Sequence, residues 1–251
     1  MQFDPLIIGL AALVTLFAGF VKGAVGFGMP MIMISGLASF LAPEIALAAL
    51  IIPTLVSNVW QALRGGALLA WKSVVTYRVF IGVLLVFIAI SAQFVGKLSA
   101  ASMFLIIGVP VSIFAATQLL GLRLRIQQRY RLWFEVLLGS IAGIIGGISG
   151  VWGPPTVAYL TATDTPKTEQ IRVQGVVYGA GAIVLFAAHL KSGILNTATV
   201  SLSLALLVPA MVGMLLGFRL NKRLDQDKFR YVTLIVLVVA GLNLVRRGLT
   251  G

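Results

Sequence analysis

The sequence predicts an all-α integral membrane protein built from two inverted repeats, each a broken-helix hairpin plus three spanning helices, with about 8–10 membrane segments in all. The composition, the length of the uncharged stretches and a glycine-rich pattern that occurs twice lead to this prediction. Of the 251 residues, 59% are hydrophobic and only 10% are charged, whereas soluble proteins average about 25% charged residues. A chain this poor in charge cannot cover a water-facing surface, so we expect it in a lipid bilayer.

The charge balance is strongly basic, with 19 Lys and Arg against 7 Asp and Glu. Lys and Arg collect in the cytoplasmic loops of membrane proteins, so the excess indicates topology rather than nucleic-acid binding. The chain has no cysteine and a single histidine, His189, which excludes thiolate chemistry and leaves no partner for a multi-histidine metal site. We therefore expect no catalytic residue, no metal and no cofactor.

The predicted spans follow from the uncharged stretches, because a helix needs about 20 largely apolar residues to cross a bilayer. Two stretches are interrupted by glycine clusters that end in proline, and each predicts a hairpin made of a helix, a break and a short helix. Repeat 1 (1–121) is predicted to hold a hairpin at 5–42 and spans at 45–63, 74–96 and 98–121. A basic linker (122–132) follows, and repeat 2 (133–251) holds a hairpin at 133–163 and spans at 170–190, 196–218 and 229–246.

Both breaks are expected inside the membrane. After the first break about 12 residues remain before the Pro43–Glu44 turn, and as a helix they extend only about 18 Å. The apolar core of a bilayer is about 30 Å thick, so this piece cannot cross it. The short piece after the second break (156–163) is shorter still.

The two interrupted regions align with each other. Gly26 matches Gly150 and Pro30 matches Pro155, about half the chain apart, with Trp152 as a one-residue insertion. Chance similarity between glycine-rich apolar runs is the alternative, and the matching order of hairpin and following helices argues against it.

The loop charges orient the two copies. Basic residues fill the linker 122–132 and the last loop, 219–230, so both are predicted to be cytoplasmic. If each hairpin returns to its starting face, each copy has three further crossings, and this odd number inverts the second copy. Both termini are then periplasmic in a bacterial inner membrane, which leaves Arg246 and Arg247 on the less favoured face.

Inverted repeats with paired discontinuous helices are typical of secondary transporters, whose substrate lies where half-helices begin near the midplane. Pro30 and Pro154 stand where the helices restart, and proline suits the first turn of a helix. The free N–H groups there, with about half a positive charge from each helix dipole, favour an anion. The expected partners are a small anion and the bilayer, with no nucleic acid; a homodimer is allowed.

The candidate substrate-binding residues lie at the breaks and on the long helix after each hairpin. Lys22 is included because a basic residue in an apolar segment is costly and by default functional; the alternative is snorkelling toward one face. Polar pairs at i, i+3 and i, i+4 on the following helices share a face, and interhelical hydrogen bonding is their alternative role. The predicted set is Lys22, Gly23, Gly26, Gly28, Pro30, Asn58, Gln61, Gly147, Ser149, Gly150, Trp152, Gly153, Pro154, Gln174 and Tyr178.

No carboxylate falls at the centre of a predicted span. A coupled proton would therefore be carried by the substrate itself, or by Glu135 or Asp164 if the predicted boundaries are shifted. His189, beside Lys191 near a helix end, is expected at the membrane interface.

With these motifs, the chain resembles the sulfite exporter TauE/SafE family over essentially its whole length. The resemblance rests on the breaks at 23–30 and 147–155, on the Arg64-Gly-Gly and Lys191-Ser-Gly turns, and on the basic linker. It implies a bacterial multi-pass transporter of sulfite, sulfoacetate, other organosulfonates or small carboxylates. The Thr-Ser pair that the family often carries after the hairpin is here separated, as Thr54 and Ser57, so the substrate can differ from sulfite.

The leading functional prediction is a secondary transporter of a small sulfur oxyanion or organosulfonate that works by alternating access. An anion channel with the same site and a carrier of small carboxylates are the alternatives of similar fold. A membrane-embedded enzyme or assembly factor is the alternative from another class, and the poverty in embedded acids and histidine counts against it.

Overall fold

A computed structural model describes residues 4–122, 127–220 and 225–250, and the regular structure within these ranges is helical. Eight of the described helices are long and apolar enough to cross a membrane. The helices are α1 (Pro5–Val25), α2 (Met29–Leu37), α3 (Pro43–Leu63), α4 (Ala67–Thr76), α5 (Arg78–Ser91), α6 (Ala100–Leu119), α7 (Arg131–Ser149), α8 (Gly153–Ala162), α9 (Lys167–Ser192), α10 (Thr197–Leu220) and α11 (Gln226–Thr250). The predicted all-α membrane fold is thus confirmed.

Each predicted hairpin contains a long helix, a break and a short helix. Gly26 follows the last residue of α1 and Gly150 follows that of α7, with φ values of 87° and 72° that glycine adopts without steric cost. α2 and α8 then begin with proline in the first turn. They have 9 and 10 residues, so they extend only about 15 Å and cannot cross the bilayer core alone.

Helix α10 lies parallel to both α1 and α3. Along α1, Gly19 packs on Ala210 and Gly23 packs on Met214, further along α10. Because the residue numbers rise together, the two helices run in the same direction.

The same order holds on α3. The Ile52 N–H donates to Ser203 Oγ (3.1 Å), and further along both helices the rings of Trp60 and Phe218 meet edge to face, with centroids 5.3 Å apart. Since α1 and α3 therefore run in one direction, α2 and residues 38–42 must lead the chain back between them.

The helix contacts come in matched pairs. α5 and α7 run parallel, with Gly139 packed on Phe80 and Gly147 on Ile88, as α1 and α10 do. α3 and α9 run antiparallel, as do α6 and α11. These antiparallel contacts place Gly175 on Ala62 and Gly179 on Asn58 in the first pair, and Gly241 on Gly108 and Gly248 on Ala101 in the second.

The span predicted at 74–96 is wrong at its start. A separate helix, α4, ends at Thr76, and α5 begins at Arg78 and continues as a 3₁₀ helix to Lys97. Lys72 lies within α4 and Arg78 lies just after it. Because these charges break up the apolar sequence, no separate apolar stretch marks α4. α4 keeps Trp71 largely exposed, as expected for a short helix along one face of the bundle.

The other predicted spans agree with the observed helices to within a few residues. Residues 123–126 of the predicted linker and 221–224 of the predicted last loop lie outside the described residues.

Candidate functional site

A small cavity lies where the first turns of α2 and α8 meet. Its lining residues are Gly28, Pro30, Met31, Gly150, Val151, Trp152, Gly153 and Tyr178. The free space is about 10 Å³, which is room for about one water molecule. The two breaks, far apart in sequence, therefore form one site, and six of its eight lining residues belong to the predicted set.

The first turn of each short helix presents backbone N–H groups that no helical carbonyl accepts. The hydrogen-bond ladder of α2 begins where Ile32 N–H donates to Gly28 O (3.0 Å), so the N–H groups of Met29 and Met31 precede it. The ladder of α8 begins at Thr156. Because Pro154 and Pro155 have no N–H, α8 offers fewer donors than α2.

Tyr178 on α9 adds a polar side chain to the cavity. The residue is 4% exposed, and its hydroxyl has no hydrogen-bond partner among the described residues. A Cβ built on Gly153 would lie 3.4 Å from that hydroxyl, so the hydroxyl faces the start of α8. A buried hydroxyl without a partner costs free energy, and a ligand at the first turns of α2 and α8 would supply that partner.

Lys22 is buried behind Tyr178, with 1% exposure. Its Nζ donates to Ser57 Oγ (3.1 Å) and to Asn58 Oδ1. Asn58 Nδ2 donates to Tyr178 O (3.4 Å), which links Lys22 to the cavity through one side chain. Snorkelling does not fit this geometry, because Nζ lies inside the protein rather than at a face.

Side chains of α3 and α9 hold the carbonyls next to each break. Gln61 Nε2 donates to Gly26 O (3.0 Å), and His189 Nε2 donates to Gly147 O (2.9 Å). His189, expected near the membrane interface, is 0% exposed, so its ring faces the neighbouring helix α7. The sequence missed this contact, since a lone histidine near a helix end carries no signal of what it faces.

Two predicted residues, Ser149 and Gln174, are absent from the cavity lining. Ser149 Oγ accepts a hydrogen bond from Val151 N–H (3.1 Å) and donates to Ile145 O (2.7 Å), so it fixes the turn at the second break. Gln174 is buried one turn before Tyr178 on α9.

Two further predicted residues, Gly23 and Gly147, lie away from the cavity. A Cβ on Gly23 would overlap Met214 O, and one on Gly147 would lie 2.6 Å from Ile88 O. They are equivalent positions in the two halves, and each lets its helix approach a neighbour closely. A glycine in these membrane helices can therefore indicate close packing between two helices as well as contact with a ligand.

The two breaks differ in one respect that the alignment predicts. Lys22 aligns with Gly146, and the space over Gly146 is taken by Trp152, whose Cε3 would lie 2.8 Å from a Cβ there. Trp152 also packs on Gly181 of α9. In the second half, the Trp152 ring therefore occupies the space beside Gly146, the position that aligns with Lys22 in the first half.

The carboxylates named as alternative proton carriers lie away from the cavity lining. Asp164 is exposed. Glu135 on α7 is 6% exposed and accepts hydrogen bonds from Tyr159 Oη (2.6 Å) and Arg131 Nε (2.9 Å). Its charge is therefore already balanced within the chain.

The fold and the site define a class of protein: a multi-pass helical membrane protein in which two broken hairpins meet at a buried cavity. A family model described as sulfite exporter TauE/SafE matches residues 11–244. The chain belongs to this family, which makes it a membrane transporter. No curated protein and no solved structure gives a significant match.

Proposed function

We propose that the chain is a secondary carrier of a small anion, which it holds at the first turns of α2 and α8. The observation that carries the proposal is that these two half-helix N-termini meet at one cavity beside the unpartnered hydroxyl of Tyr178. Each N-terminus offers free N–H groups and about half a positive charge. Membership of the TauE/SafE family supports a sulfur oxyanion or organosulfonate, such as sulfite or sulfoacetate, as the anion.

The carrier works by alternating access of two inverted repeats. Equivalent helices, α3 with α9 and α6 with α11, run antiparallel, which is the relation that an in-plane two-fold axis produces. The same axis would place α1 on α7 and α10 on α5, so it would exchange the parallel contact of α1 with α10 for that of α7 with α5. This symmetry supports two states of similar packing that open the site to opposite faces.

The small size of the cavity favours a carrier over a continuously open channel. Its free space of about 10 Å³ is smaller than any sulfur oxyanion, so an anion enters only when the two breaks move apart. A carrier needs such a closed state, whereas a continuously open pore does not contain one.

The remaining features of the proposal concern location. The carrier lies in the bacterial inner membrane with both termini periplasmic, and the linker 122–132 and the loop 219–230 face the cytoplasm. The basic residues of these segments support this orientation. A homodimer remains compatible with the proposal.

Transport by purified protein in proteoliposomes tests the function. We expect saturable uptake of radiolabelled sulfite or sulfoacetate that speeds up when unlabelled anion is present inside, since such counterflow requires a carrier. Unsaturable conductance would identify a channel, and preference for acetate would identify a carboxylate carrier. Turnover of a lipid without anion flux would contradict transport altogether.

A cavity-filling variant links the flux to the site. Gly153→Leu places a side chain beside Tyr178 and Met31 at a position without positive φ, so we expect counterflow to fall to background. Gly82→Leu is the matched control, because a Cβ at Gly82 has no neighbour within 4 Å. Equal flux in both variants would place the site elsewhere.

A further inference from the structure

Lys22 differs from Glu135, the buried carboxylate of the described residues, in having only neutral partners. Among the described residues, the buried Lys, Arg, His, Asp and Glu side chains are Lys22, Glu135 and His189. Glu135 is paired with Arg131, and His189 is held between Gly147 O and Ser192 Oγ. The described part of the chain gives Lys22 no carboxylate.

The number of hydrogen-bond acceptors around Lys22 Nζ, which is two, equals the number of N–H donors on an uncharged amine. A neutral amine has two N–H donors and an ammonium has three. Ser57 Oγ is available as an acceptor because its own proton goes to Thr54 O (3.2 Å). Asn58 turns its Oδ1 to Lys22 because its Nδ2 is used on Tyr178 O. The third donor of an ammonium has no acceptor among the described residues, so it is left for a ligand.

Among the described side chains, the surrounding helices place no compensating charge beside Lys22. α2 contains no titratable residue, α3 has only Glu44 in its first turn, and α10 has only Arg219 in its last turn. On α9, Tyr178 is linked to Lys22 through Asn58, whose Nδ2 donates to the Tyr178 backbone carbonyl. The described charged side chains of α11 lie toward its ends, at Lys228, Arg246 and Arg247. An unpaired charge in such surroundings costs several kcal/mol.

We propose that Lys22 takes up one proton when the site takes up an anion, so that the carrier moves the two together. The proton comes from the water on the loading side and adds to the amine lone pair of Nζ, which forms an ammonium whose third N–H faces the anion. On release, the anion leaves and the ammonium returns its proton to the water on the other side. This inference rests on the proposed function and names its coupling ion.

The difference between the two halves supports a single proton for each anion. The position equivalent to Lys22 is Gly146, covered by the Trp152 ring, so the second half supplies no matching amine. One site that gains one positive charge neutralises one negative charge of the anion. The loaded carrier then crosses between its two states with less charge in the bilayer.

The experiment uses wild-type proteoliposomes and whichever of sulfite, sulfoacetate and acetate the protein exchanges fastest. With the membrane potential clamped at zero, an acidic exterior should drive accumulation of that anion by about tenfold per pH unit for one coupled proton. The accumulation ratio and the acidification of the vesicle interior are measured together.

Two substitutions separate coupling from folding. Lys22→Arg holds a permanent charge and cannot exchange a proton, so we expect it to lose accumulation driven by the pH gradient, even where its anion counterflow is also slower than that of the wild type. Lys22→Met removes the titrating group and should also lose the accumulation. Lys72→Met is the control, because this exposed lysine on α4 should leave the accumulation unchanged.

The outcomes distinguish the proposed anion transport from the proposed proton coupling through Lys22. If the wild type shows no flux of any of the three anions, the proposed function fails and the coupling fails with it. If the wild type shows counterflow but no accumulation with the pH gradient, only the coupling is overturned. If Lys22→Arg or Lys22→Met still accumulates the anion as the wild type does, the proton travels elsewhere, including on the anion itself.

Discussion

At the scale of single residues, the candidate site combines free backbone N–H groups with a side-chain hydroxyl that makes no other hydrogen bond among the described residues. Tyr178 and Tyr159 are both buried tyrosines of the second half, yet their hydroxyls differ. Tyr159 Oη donates to Glu135 at 2.6 Å, whereas Tyr178 Oη has no partner among the described residues. The first hydroxyl stabilises the fold, and the second is free to donate to a bound anion.

Tyr178→Phe should weaken anion binding without weakening the fold. A hydrogen bond to a charged group contributes about 1.5–3 kcal/mol, so the Kd for sulfite or sulfoacetate should rise about 10- to 150-fold. The Kd is measured by titrating the thermal stability of the purified protein with each anion, and the melting temperature without anion should be no lower than that of the wild type.

Tyr159→Phe is the matched control and should behave in the opposite way. It leaves the buried carboxylate of Glu135 short of a donor, so the melting temperature should fall while the Kd stays unchanged. A Tyr178→Phe protein that binds the anion as tightly as the wild type would show that the hydroxyl does not contact it.

At the scale of the helices, close contacts through glycine decide which elements neighbour each other. Four glycines join α1 to α10, two from each helix: Gly19, Gly23, Gly213 and Gly217. Equivalent glycines on α7 join it to α5. These contacts support the hairpins from outside, so that the breaks at Gly26 and Gly150 are held at the cavity although the chain there is not helical.

Gly213→Ala should separate α1 from α10. The added Cβ would overlap Leu16 O, and because that atom is backbone, the whole helix must move. Overpacking of this kind costs about 1–3 kcal/mol, so we expect the melting temperature in detergent to drop by several degrees.

Gly82→Ala controls for the loss of a glycine from a helix. Its Cβ would meet nothing within 4 Å, and alanine favours helix more than glycine does, so no loss of stability is expected. Equal melting temperatures for the two variants would mean that α1 and α10 are not in close contact.

At the scale of the whole molecule, the chain direction of each helix follows from the contacts. α1, α3, α6 and α10 run one way, and α5, α7, α9 and α11 run the other. Residues 122 and 127, which flank the undescribed part of the linker, therefore lie at one end of the bundle, and both described termini lie at the other. Combined with the basic linker, this arrangement supports the proposal that both termini are periplasmic.

Labelling of introduced cysteines tests this orientation, and it is simple here because the chain has no cysteine. With a thiol reagent that does not cross membranes, we expect Thr250→Cys and Lys97→Cys to react in spheroplasts. Gln127→Cys should react only in inside-out vesicles. All three residues are exposed, so a missing signal cannot be attributed to burial. Labelling of Thr250→Cys from the cytoplasmic side alone would overturn the orientation.

The extent of successful prediction differs between fold and site. The spans and breaks followed from local features, because hydropathy, glycine and proline act over a few residues. α4 was missed, because its ten residues contain a charge and are too few to show a span. Among the residues that line the cavity, Pro30 and Tyr178 were predicted from their positions. Met31 and Val151 were not, since an apolar residue beside a break looks like any other.

By itself, the sequence determined that this protein is a helical membrane protein with two broken hairpins, because bilayer thickness and the backbone chemistry of glycine and proline leave few alternatives. Only the tertiary structure decided that both breaks meet at one cavity, that Trp152 covers Gly146, and that Lys22 has neutral partners alone. These facts depend on contacts between distant parts of the chain. Apolar helices of similar composition carry no local signal of which neighbour they will pack against.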